Sequence, residues 1–242
     1  MTRPMAQRRQ NNREQQPAIH LLPFPKGRGG RRKGAGRKAK HGRSGVSHRQ
    51  RLSLASRCPA HITVKLQQGL PRLRNRREDE VLRTAFRAGC ERQGCRLCHY
   101  AIRNDHLHFL VEAKDRTALS RGIQGLLIRI ARALNKLWER RGKVFADRYH
   151  DHILKSPREV KNALRYVFGN GKKHATEGRE VTVPQAMDTF TSAPWFDGCR
   201  ETIRVRSLEV IVRPVTAART WLLTIGWRRH GLLSVHETPA AG

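Results

Sequence analysis

Asn104-Asp105-His106-Leu107-His108-Phe109-Leu110-Val111 sets two histidines two residues apart in a run that otherwise has the composition of a β-strand. Side chains alternate between faces along a strand, so His106 and His108 point one way while Leu107, Phe109 and Val111 point the other. The apolar trio can bury the strand in a core. The two imidazoles, sharing the opposite face, can hold a divalent cation.

The segments around this strand build a sheet for it. Upstream, His61 to Leu66 alternates strictly, with Ile62, Val64 and Leu66 inward and His61, Thr63 and Lys65 on the other face. Between the two strands, Leu82, Ala85, Phe86 and Cys90 recur at helical spacing, which predicts a helix over Glu78 to Gln93 ended by Gly94. Residues 95–102 read as a strand joined to the histidine strand by a tight connection at Asn104-Asp105. Downstream, Leu119, Ile123, Leu126, Leu127, Ile130, Leu134, Leu137 and Trp138 mark a long amphipathic helix. Val144 to Leu154 is extended again, and Ser156-Pro157 supplies an N-cap and a first-turn proline for a last helix over Arg158 to Phe168. The fold class is therefore α+β, a ferredoxin-like palm of βαββαβ order: an antiparallel sheet with helices on one face, plus a final helix. Its other face, with His61, Thr63, Lys65, His106 and His108, can be left open.

Charge narrows the partner. The chain has 242 residues, with 50 Lys and Arg against 19 Asp and Glu, a net charge of +31. A field of that strength attracts polyanions, with nucleic acid first among them. A membrane is not expected as partner: the longest apolar runs, near Trp221 to Trp227, are short and interrupted, and Met1 to Gln16 is almost wholly polar. The five scattered cysteines suit a reducing, cytoplasmic compartment. Cys95 and Cys98 have no second pair to complete a zinc site and read as ordinary thiols. Residues 1–57 form a basic arm with Glu14 as its single acid, expected to be disordered. Within it, GRGGRRKGAGRK over 27–38, including Arg31, Arg32 and Lys33, has the composition of arms that follow a phosphate backbone or enter a minor groove.

Projected at about 100° per residue, the last helix collects Val160, Ala163, Leu164, Val167 and Phe168 in one sector and leaves Tyr166 well outside it, with Asn170 one turn on. Laid across the open face, such a helix brings a phenol and an amide oxygen to the two histidines. Two imidazoles and an amide can bind Mg²⁺ or Mn²⁺ and keep positions open for a phosphate oxygen. A tyrosine so placed can attack phosphorus. Tyr100 and Tyr149 lie in strands and are expected to be packed. His150-Asp151-His152 reads as a polar edge strand, with a second metal site as its alternative.

The His-hydrophobic-His strand followed some way on by a helix with tyrosine and a polar residue four positions later resembles the single-tyrosine HUH transposases of insertion sequences, and most of all the REP-associated tyrosine transposases. The likeness covers roughly Cys58 to Ala175, a catalytic domain followed by an extension over 176–242. It implies His106, His108 and Asn170 as metal ligands and Tyr166 as nucleophile. It further implies single-stranded DNA near hairpins as substrate, a 5′-phosphotyrosine intermediate and strand transfer, in a monomer or homodimer associated with the nucleoid. The family's Asn-Pro after the tyrosine is absent, and Asn170, flanked by Gly169 and Gly171, can equally cap the helix. Lys65, Lys172 and Lys173 are expected to contact DNA, although Lys172 and Lys173 read equally well as a solvated turn. A non-catalytic nucleic-acid-binding protein of this fold, and a metal-dependent nuclease using water, are the alternatives. In the extension, Trp221, Leu222 and Ile225 are expected to dock on the palm, with base stacking by Trp227 the second reading.

Overall fold

A computed structural model of the chain describes residues 51–169, 188–200 and 212–234, all within the compact unit Ser44–Gly242. Strand β1 (Ala60–Lys65) is followed by α1 (Arg76–Gly89), β2 (Glu91–Arg92), β3 (Cys95–Ile102), β4 (His106–Ala113), α2 (Arg116–Leu137), β5 (His150–Ile153) and α3 (Pro157–Gly169). The strands form one sheet in the order β2-β3-β4-β1-β5, antiparallel at every pairing. The fold is α+β, a palm as expected, with β1 and β4 at its centre.

Register fixes which side chains share a face. Ile62 lies opposite Phe109 and Val64 opposite Leu107, so the apolar members of both strands turn to one side, where α1 and α2 pack against the sheet. Every one of these residues is buried. The helices that cover them start at built caps. Asn75 accepts from the amides of Arg77 and Glu78 at the start of α1, and Asp115 accepts from Ala118 N at the start of α2. Trp138, beyond the end of α2, donates its indole N–H to Glu78 Oε1 at 2.9 Å and ties the two helices together.

The first helix ends earlier than its periodicity suggests, at Gly89 instead of Gln93. Glu91 and Arg92 leave it to pair with Arg96 and Cys95. The connecting residues Gln93 and Gly94 both have positive φ, 54° and 71°, the backbone of a two-residue hairpin turn. The expected extended run from Val144 to Leu154 likewise contributes only four residues to the sheet, as edge strand β5.

The second face is not left open. Helix α3 crosses it, and residues of the C-terminal segment pack on α3 through a short helix, α4 (Trp221–Thr224), and the 3-10 turn Gly226–His230. Leu222, Leu223 and Trp227 are the buried anchors, whereas Trp221 and Ile225 are 45% and 59% exposed. The expected docking by Trp221 and Ile225 is thus wrong, and burial removes Trp227 as a stacking residue. The chain passes from α to 3-10 geometry at Gly226, so a projection at constant helical pitch assigns the wrong indole to the core. Glu112 of β4 holds this segment in place, accepting from the amides of Arg219 and Thr220 and from Thr220 Oγ1. At the other end of the packed chain, Leu54 is buried and Arg51 pairs with Asp151 at 3.1 Å, so order reaches back ahead of Cys58.

Candidate active site on the second face of the palm

Antiparallel pairing sets Thr63 beside His108, Lys65 beside His106 and His61 beside Leu110. His61, Thr63, Lys65, His106 and His108 therefore occupy one face, with His150 and His152 of β5 next to them, opposite Thr63 and His61. The rings of His106 and His108 stand perpendicular with centroids 4.7 Å apart.

Each imidazole of the pair has one nitrogen engaged by the protein. His106 Nδ1 lies 2.7 Å from Asp105 Oδ1, and the same carboxylate meets Lys65 Nζ at 3.4 Å. Burial acts to raise the Asp105 carboxyl, but the hydrogen bond and charge of His106, with those of Lys65, hold it below its ordinary value. His108 Nδ1 lies 3.1 Å from Thr63 Oγ1 and 3.2 Å from His61 Nε2. Its Nε2 is buried and has no hydrogen-bond partner, in a residue only 2% exposed. Burial, reinforced by His61, His106 and Arg103, lowers the pKa of His108 to about 2, and burial with the charges of His152 and His150 lowers that of His61 to about 4. Both rings are neutral at physiological pH, the state in which an imidazole can donate a lone pair.

The last helix carries its phenol to this pair. Helix α3 begins with a capping box, in which Ser156 Oγ accepts from Glu159 N and Glu159 Oε2 accepts from the amides of Lys155 and Ser156. Val160, Ala163, Leu164 and Val167 are buried as the projection requires. Tyr166, 36% exposed, presents its ring edge-on to His108 at 5.1 Å and to His61 at 5.7 Å between centroids. The other two phenols are packed elsewhere: Tyr100 against Phe86 with centroids 4.7 Å apart, and Tyr149 under the Arg51 guanidinium at 3.7 Å.

Of the residues singled out from sequence, His106, His108, Lys65 and Tyr166 fall together. Asn170, Lys172, Lys173, Arg31, Arg32 and Lys33 lie outside the described residues. His150 and His152 are exposed on the edge strand while Asp151 is held by Arg51 and Arg116, the polar edge that was expected. Cys95 and Cys98 are free and buried. Two residues of the site were not foreseen. Asp105 was read only as part of a turn, although an acid directly before the histidine strand is the residue best placed to fix the His106 ring. Arg103 gives no local signal at all. It is 3% exposed, donates through Nη2 to Val167 O at 3.2 Å at the end of α3, and through Nη1 to Asp188 Oδ2 at 3.2 Å.

The two imidazoles fit a metal ion in one respect that can be read directly: the orphaned Nε2 of His108 is a buried lone-pair donor with its other nitrogen already held. Among the described residues no group of three or more His, Cys, Asp or Glu forms a complete cage, so a third protein ligand has to be of another type or lie elsewhere. No helix among the described residues is long and apolar enough to cross a membrane.

No curated protein matches the sequence significantly. Among solved structures, a REP-associated tyrosine transposase bound to a REP hairpin is similar over 53% of this chain and 74% of its own, with 15% identity and a TM-score of 0.45. A putative transposase from Deinococcus radiodurans is similar over 46% of this chain and 87% of its own, with 14% identity and a TM-score of 0.35. Residues 55–169 match the family model described as "Transposase IS200 like". That match spans the palm from its first strand to the tyrosine helix, and over this part the chain is similar to the IS200-like transposase family.

Proposed function

We propose that the chain nicks single-stranded DNA and transfers the cut strand, with Tyr166 as nucleophile and His106 and His108 as metal ligands. The observation that carries the proposal is the contact of the Tyr166 ring with His108, whose buried Nε2 has no partner. Asn170 is the proposed third ligand. The match of this segment to the transposase family model supports DNA as the substrate, and the hairpin named with one solved structure suggests a hairpin flank as the recognition element. A basic arm over 1–57, whose last residues from Arg51 pack on the palm, a catalytic domain over 58–175 and an extension over 176–242 are the proposed division of the chain, with arm and Lys172-Lys173 as phosphate contacts.

In this reading Tyr166 Oη forms a bond to phosphorus as the bond from phosphorus to the 3′ oxygen breaks. The phenol proton leaves to solvent, and the departing oxygen gains one to become a 3′-OH. A Mg²⁺ or Mn²⁺ ion bound there supplies Lewis acidity toward the phosphate oxygens. Asp105 fixes the ring of His106, Thr63 and His61 fix that of His108, and α3 aims the phenol. The reverse attack, by a different 3′-OH on the phosphotyrosine, reseals the strand without a nucleotide cofactor.

The test is incubation with single-stranded hairpin oligonucleotides and Mn²⁺, followed by a denaturing gel. A covalent band present with the wild type, absent in Tyr166→Phe and absent in His108→Ala is expected. Cleavage that survives Tyr166→Phe would make the protein a water-using nuclease. Binding without adduct across a broad hairpin set would make it a non-catalytic DNA-binding protein.

A further inference from the structure

The C-terminal segment lies beyond the part of the chain that matches the transposase family, yet it carries an exposed indole on a rigid support. Thr220 caps α4, its Oγ1 accepting from Leu223 N, and its own amide is held by Glu112. Leu222 and Leu223 point into the core, while Trp221 between them and Thr220 points out, 45% exposed. The ring is held from two sides. The Arg229 guanidinium lies over it at 4.9 Å, and its edge runs against Gly226 so closely that a Cβ there would come within 2.7 Å of the ring. Ile225, 59% exposed, stands one turn away. Beneath them Trp227 is buried, donating its indole N–H to Leu223 O at 3.2 Å and facing Phe196 at 5.4 Å. Lys161 Nζ donates to His230 O at 2.5 Å and fastens the turn to the tyrosine helix.

The neighbourhood is cationic. Arg229 and His230 are exposed, as is Arg219, whose side chain is 73% exposed and pairs loosely with Glu91 at 3.5 Å. Arg228 is balanced by Asp197 at 2.9 Å. A single indole and one isoleucine are far short of the roughly 800 Å² per partner that a stable protein interface needs, which disfavours a second copy of the chain. An indole beside the exposed Arg229 guanidinium matches instead the alternation of flat bases and phosphates along a single strand.

We infer that Trp221 and Arg229 form a stacking contact for a base of single-stranded DNA, outside the palm. The inference rests on the reading of DNA as the substrate, but not on cleavage. The stacking face serves any base, since each has a π-surface, so it adds affinity and not sequence preference.

The test uses the full-length protein and a labelled 20-nucleotide oligo-dT. Loss of one stacked base corresponds to about 1–3 kcal/mol, so Trp221→Ala is expected to weaken binding about 5- to 150-fold, and Trp221→Phe much less. Stacking releases no counterions, so the salt slope of Trp221→Ala should equal that of the wild type, while Arg229→Gln should lower it by about 0.7. Blunt duplex of the same length should bind Trp221→Ala as it binds the wild type. Wild-type affinity of Trp221→Ala for oligo-dT would overturn the inference. So would an equal loss on duplex, or a change of oligomeric state by sedimentation. If Trp221→Ala does not fold, Trp221→Phe and Arg229→Gln still decide, since wild-type affinity and salt slope in both would sink it. Wild-type binding with no adduct refutes the nicking proposal alone and leaves this one standing.

Discussion

Arg103→Met removes the guanidinium that joins the strand carrying the histidines to the end of the tyrosine helix. Arg103 sits in the turn into β4, its amide bonded to His106 O at 2.9 Å, and its side chain reaches Val167 O and Asp188 Oδ2. Methionine fills similar space and makes neither bond. Hydrogen bonds to charged groups are worth about 1.5–3 kcal/mol each. Two offsets apply: Arg74 keeps both of its bonds to Asp188, at 2.8 and 2.9 Å, and a desolvated charge is removed. The expected net loss is about 3 kcal/mol, or roughly 6–12 °C in midpoint at about 2–4 °C per kcal/mol for a chain of this size. Asp188→Ala should cost more, because it leaves two guanidinium groups facing each other without their shared carboxylate. Urea and thermal unfolding of the full chain measure both, and amide exchange should accelerate over the last turn of α3 in Arg103→Met. A loss below about 1 kcal/mol in Arg103→Met, or a milder effect in Asp188→Ala, would show that the clamp does not hold the helix.

Two glycines of α2 should respond oppositely to alanine. At Gly122 a Cβ would lie 2.2 Å from Cys95 Cβ and 2.8 Å from its Sγ, so Gly122→Ala should destabilise by about 1–3 kcal/mol. Nothing lies within 4 Å of a Cβ at Gly125, and Gly125→Ala should stabilise by about 0.5–1 kcal/mol through helix propensity; parallel thermal melts compare them. Stability should also fall on mild acidification. Burial, with Arg213 adding to it, lowers the pKa of His99 from 6.5 to about 3. The unfolded chain therefore binds the proton first, and stability, complete above pH 6.5, is lost as pH drops toward 3, at up to about 1.4 kcal/mol per pH unit. His61 and His108 act in the same direction, so His99→Gln should flatten the dependence of the urea midpoint on pH between 7 and 5 without abolishing it. An unchanged slope would mean that burial does not lower the His99 pKa in the folded protein.

Local periodicity carried the palm and the core of its site. Alternation in β1 and β4 sorted Ile62, Val64, Leu107 and Phe109 from His61, Thr63, His106 and His108, because a strand buried on one side leaves that signature in every second residue. The α3 stripe separated Tyr166 from Val160, Leu164 and Val167 by the same logic. What escaped was structure made by distant partners or by a change of pitch. Arg103 and Asp188 are 85 positions apart, and nothing near either one announces the other. The short β2 rests on positive φ at Gln93, where glutamine is an unusual choice. The exchange of Trp221 for Trp227 as the exposed indole follows from four residues of α-helix running into a 3-10 turn, too short a run for either period to show.

The capture of Glu112 by backbone amides is one case of a wider pattern. Asp151 lies between Arg51 and Arg116, Asp188 between Arg74 and Arg103, Asp79 is held by Arg83, Asp105 by His106 and Lys65, and Asp115 and Glu159 sit at helix starts. A carboxylate neutralised at such close range contributes little beyond a few ångströms, since the field of a tight pair decays faster than that of a lone charge. These acids of the described residues thus stitch the molecule internally while the surplus arginines and lysines dominate the potential felt at a distance. A nucleic acid approaching from solution meets a chain of net charge +31, and its encounter rate should drop steeply with ionic strength.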